Sequence, residues 1–484
     1  MPSSKKMNIA IIGAGPSGLA VGRELLEQGI DTFTIFEKEP AAGGTWQIHS
    51  YPGLACDVWA HSYTFSYLPN PNWSASFVPQ KEIKEYLQDC VDKLGLSSYM
   101  RYSTRITRAV FDNKHWQLEF EDDQPEQFDI VINAMGNQHT AAYPNLNGMD
   151  KFNGPSWHST DWNHDVDLSG KKVIVVGSAA AAVQIVPELA KVVDQLLVLQ
   201  RTANWVMPRR RKIYSDRQRK LFNKFPVLMK ALRAGQGLLM SGVEKGVELG
   251  HKRMDMFENM GKKHIKDVIK DQSLQEILTP KTRFGCKRAL VSDDFYQALN
   301  KENVTLVPAG AAEVVESGLI TSDGQEFVAD VIIYCTGYKL MDFDRIEVLG
   351  VSGKNLADTM AYSPEAFKGI AAPHFPNYFF AIGPNGLALS VSYFITAETN
   401  AECIVRVIKQ LQASSKSVVD VKQALCDEYN QWMMGQFGQF SWGAESCSSY
   451  YSTAAGRHPF IYPGGFKRFK QERKEVSLQD FELS

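Results

Sequence analysis

Short apolar runs that stop at a glycine recur along this chain. Asn8-Ile9-Ala10-Ile11-Ile12 stops at Gly13, and Lys172-Val173-Ile174-Val175-Val176 stops at Gly177. Each run is too short for a helix and too uniformly apolar for a half-exposed strand. Each therefore predicts a strand covered on both faces. After the first, Ser17 to Gln28 carries apolar residues at helical spacing, and Gly29 supplies a stop. Residues 129–136 and 330–337 read as two more buried strands ending in small residues. The aromatic run 375–384 reads as a strand returning to the first unit, its rings in the core. Residues 215–275 are rich in Lys, Met, Leu and Glu and predict several helices. Their apolar positions suit the packing of a helical subdomain better than membrane contact or a substrate channel. The predicted fold is α/β, with two doubly wound dinucleotide-binding (Rossmann-like) domains. The second is inserted in the first and itself carries the inserted helical subdomain.

Composition narrows the class only a little. In 484 residues, 52 basic side chains face 54 acidic ones, for a formal charge of −2. That balance argues against nucleic acid or an anionic membrane as the main partner. No run is long and apolar enough to span a bilayer, so stable membrane insertion is not expected. The seven cysteines are scattered, with no Cys-x-x-Cys spacing. With no secretory leader read at Met1 to Met7, a reducing cytoplasm is the expected setting. No metal-ligand constellation stands out, and the oligomeric state is not legible.

The chemistry starts at the two turns. The first is Gly13-Ala14-Gly15-Pro16-Ser17-Gly18, and Glu37 lies 24 positions past Gly13. Glycines at 13, 15 and 18 let backbone approach a pyrophosphate at the helix N-terminus, and a carboxylate at that offset hydrogen-bonds a free ribose hydroxyl. The second turn, Gly177-Ser178-Ala179-Ala180-Ala181-Ala182, has alanines where glycines are usual. Arg201 lies 24 positions past Gly177, followed by Thr202, and no acid ends that strand. A guanidinium there favours a ribose phosphate. The pair of turns predicts FAD at the first site and NADPH at the second. Ser178, Ala179, Ala180 and Gln184 are expected along the second dinucleotide. The expected division is 1–145 and 369–484 for the FAD-binding domain, the latter including a C-terminal substrate loop. The NADP-binding domain takes 146–214 and 281–368, with 215–280 as the helical subdomain. The basic run Arg209-Arg210-Arg211-Lys212 reads as a solvated turn rather than a phosphate site.

Two further segments carry a family resemblance. Phe152-Asn153-Gly154-Pro155-Ser156-Trp157-His158-Ser159-Thr160-Asp161-Trp162 precedes the second nucleotide strand. Gly43-Gly44-Thr45-Trp46 opens a longer pattern that runs through to Asp57. Together they resemble the fingerprints of Baeyer–Villiger monooxygenases, the class B flavin-dependent enzymes that insert oxygen beside a ketone. The resemblance runs from the first strand to about Gly465. It departs at Asn163, where the family has Pro or Asp, and at Tyr450, where many members have Trp in a loop over the substrate.

The resemblance implies an NADPH- and O2-dependent enzyme that converts ketones to esters or lactones through a flavin peroxide. It implies Arg288 as the active-site arginine, Asp57 as its partner, and Lys287 with Arg201 and Thr202 as reader of the NADPH phosphate. Gly44, Thr45 and Trp46 are implied at the flavin, His158 as a link between moving domains, and Tyr450 in the substrate loop. A guanidinium suits the reaction because it stays charged at any workable pH and can hold negative oxygen. The alternative is a flavin-containing N- or S-oxygenase acting on amines or sulfides, which needs no such cation. A disulfide reductase is disfavoured by the missing Cys-x-x-Cys.

Overall fold

The computed structural model describes residues 6–444, 447, 452–453 and 456–484. Two five-stranded parallel sheets organise it. In the first, β1 (Ile9–Ile12) is central. On one side lie β2 (Phe33–Phe36) and Met100–Arg101; on the other lie Ile130–Asn133 and Tyr378–Phe380. The register aligns Ile9 with Phe33 and Ile130. Every residue of β1 is buried, as a strand covered on both faces requires. The aromatics of Tyr378–Phe380 are buried too, so that run is core, as its composition predicted.

The chain leaves β1 through the glycine turn into α1 (Pro16–Glu27), with Pro16 in its first turn, where no backbone N–H is needed. Gln28 caps it, and Gly29 has φ +76°, close to the predicted stop. Leu19, Val21 and Leu25 face the core, against the long helix Tyr393–Gln412.

The second sheet repeats the design. The strand β3 (Lys172–Val176) lies between β4 (Gln195–Leu199) and Val331–Tyr334, with Val304–Val307 and Ser156–His158 at the edges. All four pairings are parallel. The helix α3 (Ala182–Leu189) follows the second turn. Strands distant in sequence meet here: Val331 aligns with Val173 across the long insertion. Two Rossmann-like units in one chain, the second inserted in the first, is thus the observed architecture.

The insertion contains four helices: α4 (Asp216–Lys224), α5 (Pro226–Gly246), then Lys252–Val268 and Gln272–Leu278. A four-stranded sheet pairs Glu347–Leu349 with Ile106–Phe111, so chain beyond the second unit already packs on the first near Val348. Among the described residues no helix is long and apolar enough to cross a membrane. One feature was not legible: Cys286 and Cys447 form a disulfide across 161 positions, with Cα atoms 5.5 Å apart. Spacing carried no trace of it, because the fold and not the sequence brings them together. It also removes scattered thiols as the ground for expecting a reducing compartment.

Candidate functional site

The first turn is built for close approach. Gly13 has φ +106°, and a Cβ on Gly18 would stand 1.9 Å from the Gly13 carbonyl oxygen, so α1 docks directly under β1. The short helix α2 (Thr45–Ile48) brings Gly44, at φ +56°, against Gly15. A Cβ on Gly44 would lie 3.0 Å from the Gly15 Cα. Backbone thus meets backbone at the mouth of β1, and any side chain there would fill the cradle. Glu37, just past β2, turns its carboxylate into the same mouth. It accepts from Ala14 N–H at 2.8 Å and from Glu39 N–H at 3.0 Å. Burial pushes its carboxyl up, against the two N–H groups that pull it down. These are the parts an FAD pyrophosphate and ribose require. Trp46 packs edge-on to Tyr63 and donates its indole N–H to the Tyr63 hydroxyl at 3.1 Å, which orients the wall beside Thr45.

At the second turn Gly177 has φ +107°, while Ala179 and Ala180 are exposed at the helix start. Lys287 reaches across to donate to the Thr202 hydroxyl. Burial, and then the Arg201 guanidinium, pull the Lys287 ammonium down. Among the described residues no carboxylate lies within ion-pair distance of Arg201 or Lys287. Two cations held together with no acid between them form a phosphate-shaped demand. Ser178 is buried, and its carbonyl accepts from the Asn204 amide at 3.3 Å. Gln184 faces elsewhere: its amide donates to the Ala55 carbonyl at 3.0 Å, and the Tyr51 hydroxyl donates to its side-chain oxygen at 3.3 Å. It ties α3 to the loop that precedes Asp57.

That loop carries the central contact. Asp57 comes from the first unit and Arg288 from the segment before Leu290–Val291 in the second, and they form an ion pair. The side chains are 26% and 38% exposed, so the pair adds little stability, about 0–1 kcal/mol. Its consequence is positional: a permanent cation is fixed at the seam between the two nucleotide units. Tyr51 and Cys56 lie within its field. Burial drives both well above their ordinary values, so they present neutral O–H and S–H groups to the seam.

His158 ends Ser156–His158 and is fully buried. Its Nδ1 lies 2.9 Å from the Thr160 hydroxyl oxygen and 3.2 Å from the Thr160 backbone nitrogen. Burial lowers the ring pKa to about 4. A neutral ring locked this way suits a link better than a base. Next to it, His49 of the first unit meets the Thr160 carbonyl through Nδ1 and the Tyr338 hydroxyl through Nε2, both at 3.3 Å. Sequence reasoning singled out neither His49 nor Tyr338. Tyr338 follows the strand Val331–Tyr334, at the carboxyl end of a parallel sheet where sites gather, and that position was the available signal. Tyr450 lies outside the described residues. Arg457, seven positions further along the chain, pairs with Glu365.

Residues 5–436 match the family described as flavin-binding monooxygenase-like. A Baeyer–Villiger monooxygenase of Pseudomonas aeruginosa is 34% identical over 100% of this chain and 92% of its own length. Another, of Streptomyces coelicolor, is 35% identical over 99% of this chain and 92% of its own. The fold likewise matches cyclohexanone monooxygenase from Rhodococcus sp. Phi1 bound to NADP+, at a TM-score of 0.87 and 24% identity, over 99% of each chain. An oxidized steroid monooxygenase bound to NADP matches at 0.86. The chain belongs to the flavin-binding monooxygenase-like family, in its Baeyer–Villiger branch.

Proposed function

We propose that this enzyme uses FAD, NADPH and O2 to convert ketones to esters or lactones. The observation that carries the reading is the Asp57–Arg288 pair at the seam between the two nucleotide units. FAD, reduced by NADPH, supplies the electrons that activate oxygen when both are bound. Gly13, Gly15, Gly18 and Gly44 would admit the FAD pyrophosphate, Glu37 would hold its ribose, and Thr45 and Trp46 would wall the flavin. Gly177, Ser178, Ala179 and Ala180 would border the NADPH pyrophosphate, and Arg201, Thr202 and Lys287 would bind its ribose phosphate.

Arg288 would meet negative charge as it builds on the ketone oxygen, and Asp57 would keep the guanidinium aimed. His158 and Gln184 would hold the two units in register. An N- or S-oxygenase is not favoured, because oxidising a neutral nitrogen or sulfur builds no oxyanion that calls for Arg288. We divide the chain as the sequence suggested but move the return to the FAD unit from 369 to near Ile346, because Val348 packs on Ile106–Phe111. A cytoplasmic setting follows from the need for an NADPH supply. The test is anaerobic reduction with NADPH, then oxygen and a panel of ketones, with products identified by mass. The account expects a product one oxygen atom heavier than its ketone, with the carbonyl turned into an ester. NADPH oxidation with no such product for any ketone would contradict it.

A further inference from the structure

The overall charge of −2 hides a local imbalance. Between Arg209 and Arg233 stand ten basic residues and one acid, Asp216. Two of the cations are neutralised by ion pairs, Arg209 with Asp294 and Arg219 with Asp216. On α4, Arg217, Lys220, Leu221 and Lys224 share one exposed face at helical spacing.

The next helix inverts the usual pattern. The inner side of α5 is docked: Met229 and Gln236 are buried, Gln236 accepts from the Ser62 hydroxyl at 2.7 Å, and Arg233 donates to the Thr64 carbonyl at 3.0 Å. Its outward ridge is Val227, Ala231, Ala234 and Leu238, all exposed and none charged. Leu238 is 75% exposed and Leu239 62%. Of the 15 large hydrophobic residues exposed among those described, seven lie between Ile213 and Leu239. Lys224 holds its ammonium 5.5 Å from the ring centre of Phe225, at the junction of the two helices.

We propose that α4 and α5 form a peripheral docking surface for an anionic lipid bilayer, with α5 lying in the interface and not crossing it. Aliphatic tips flanked by cations match acyl chains beneath phosphate headgroups. A second copy presenting this same face would set like charges against each other. A nucleic acid would leave the leucines uncovered.

Flotation of the full-length, FAD-loaded enzyme with vesicles tests this. Phosphatidylcholine vesicles with and without phosphatidylglycerol are compared, at low and high salt. Leu238→Ser/Leu239→Ser and Arg217→Gln/Lys220→Gln/Lys224→Gln are run beside the wild type, with flavin content and melting temperature checked. These side chains are exposed, so both variants fold. The wild type is expected to float with the phosphatidylglycerol vesicles, weakly at high salt. The leucine variant should lose about tenfold in partitioning. The charge variant should lose about a hundredfold, at roughly fivefold per cation. A wild type that stays soluble, or that binds both vesicle types equally, would overturn the proposal. So would either variant binding like wild type, or a dimer in solution that the leucine variant dissolves.

Discussion

Arg201 and Lys287 stand close enough to repel each other, with no carboxylate within ion-pair distance of either among the described residues, and a ribose phosphate would answer both. NADPH carries that phosphate and NADH does not. Arg201→Ala is therefore expected to raise KM for NADPH by about tenfold or more while leaving KM for NADH nearly unchanged, since charge-assisted contacts contribute about 1.5–3 kcal/mol. Equal rises in steady-state kinetics would show that Arg201 does not read the phosphate. His158 gives a second prediction. Its ring is held neutral, with a folded value of about 4 against an ordinary 6.5. The unfolded chain then binds the extra proton first, so the stability due to this ring is complete above pH 6.5 and falls as pH drops towards 4. The loss is on the order of 3 kcal/mol, and His158→Gln should flatten that part of the melting-temperature profile. An unchanged slope would place the acid sensitivity elsewhere; His61 and His139, also lowered to about 4, are the other sources. The motif made His158 visible in the sequence. Its contacts with Thr160 and Tyr143 were not, because the fold sets them.

At the scale of elements, the strands and turns were the most legible part. Their apolar runs are continuous because both sheet faces are covered, and each stops where the glycine must turn. Lys172–Val176 falls on its predicted bounds, and Val331–Tyr334 is shorter by its flanking small residues. The contacts that join loop to helix were not legible. Gly53 has φ +78°, and a Cβ there would come within 2.4 Å of the Gln184 carbonyl oxygen, so the loop leading to Asp57 lies on the backbone of α3. Gly29, at φ +76°, meets nothing within 4 Å and serves as the control. Both alanine substitutions cost roughly 1 kcal/mol for the left-handed backbone. Gly53→Ala should cost about 1–3 kcal/mol more in urea unfolding, from the lost approach to α3. Equal costs would mean that the loop is free to move away.

Across the whole molecule, the two nucleotide units are joined at several points: Asp57 to Arg288, Ala55 to Gln184, and His49 to both Thr160 and Tyr338. No spacing rule relates residues 231 positions apart, and only the resemblance to a known family suggested that Asp57 and Arg288 meet. The disulfide between Cys286 and Cys447 shows the same limit with no motif to help. The measurement that tests the central claim most directly sets two oxidations side by side in Arg288→Ala. A ketone gathers negative charge on its oxygen under attack, and a thioether does not. With flavin content unchanged, ester formation should fall at least about a hundredfold, while sulfoxide formation persists within a few-fold. Ester yield near that of the wild type, or parallel loss of both products, would contradict a fixed cation acting on the carbonyl.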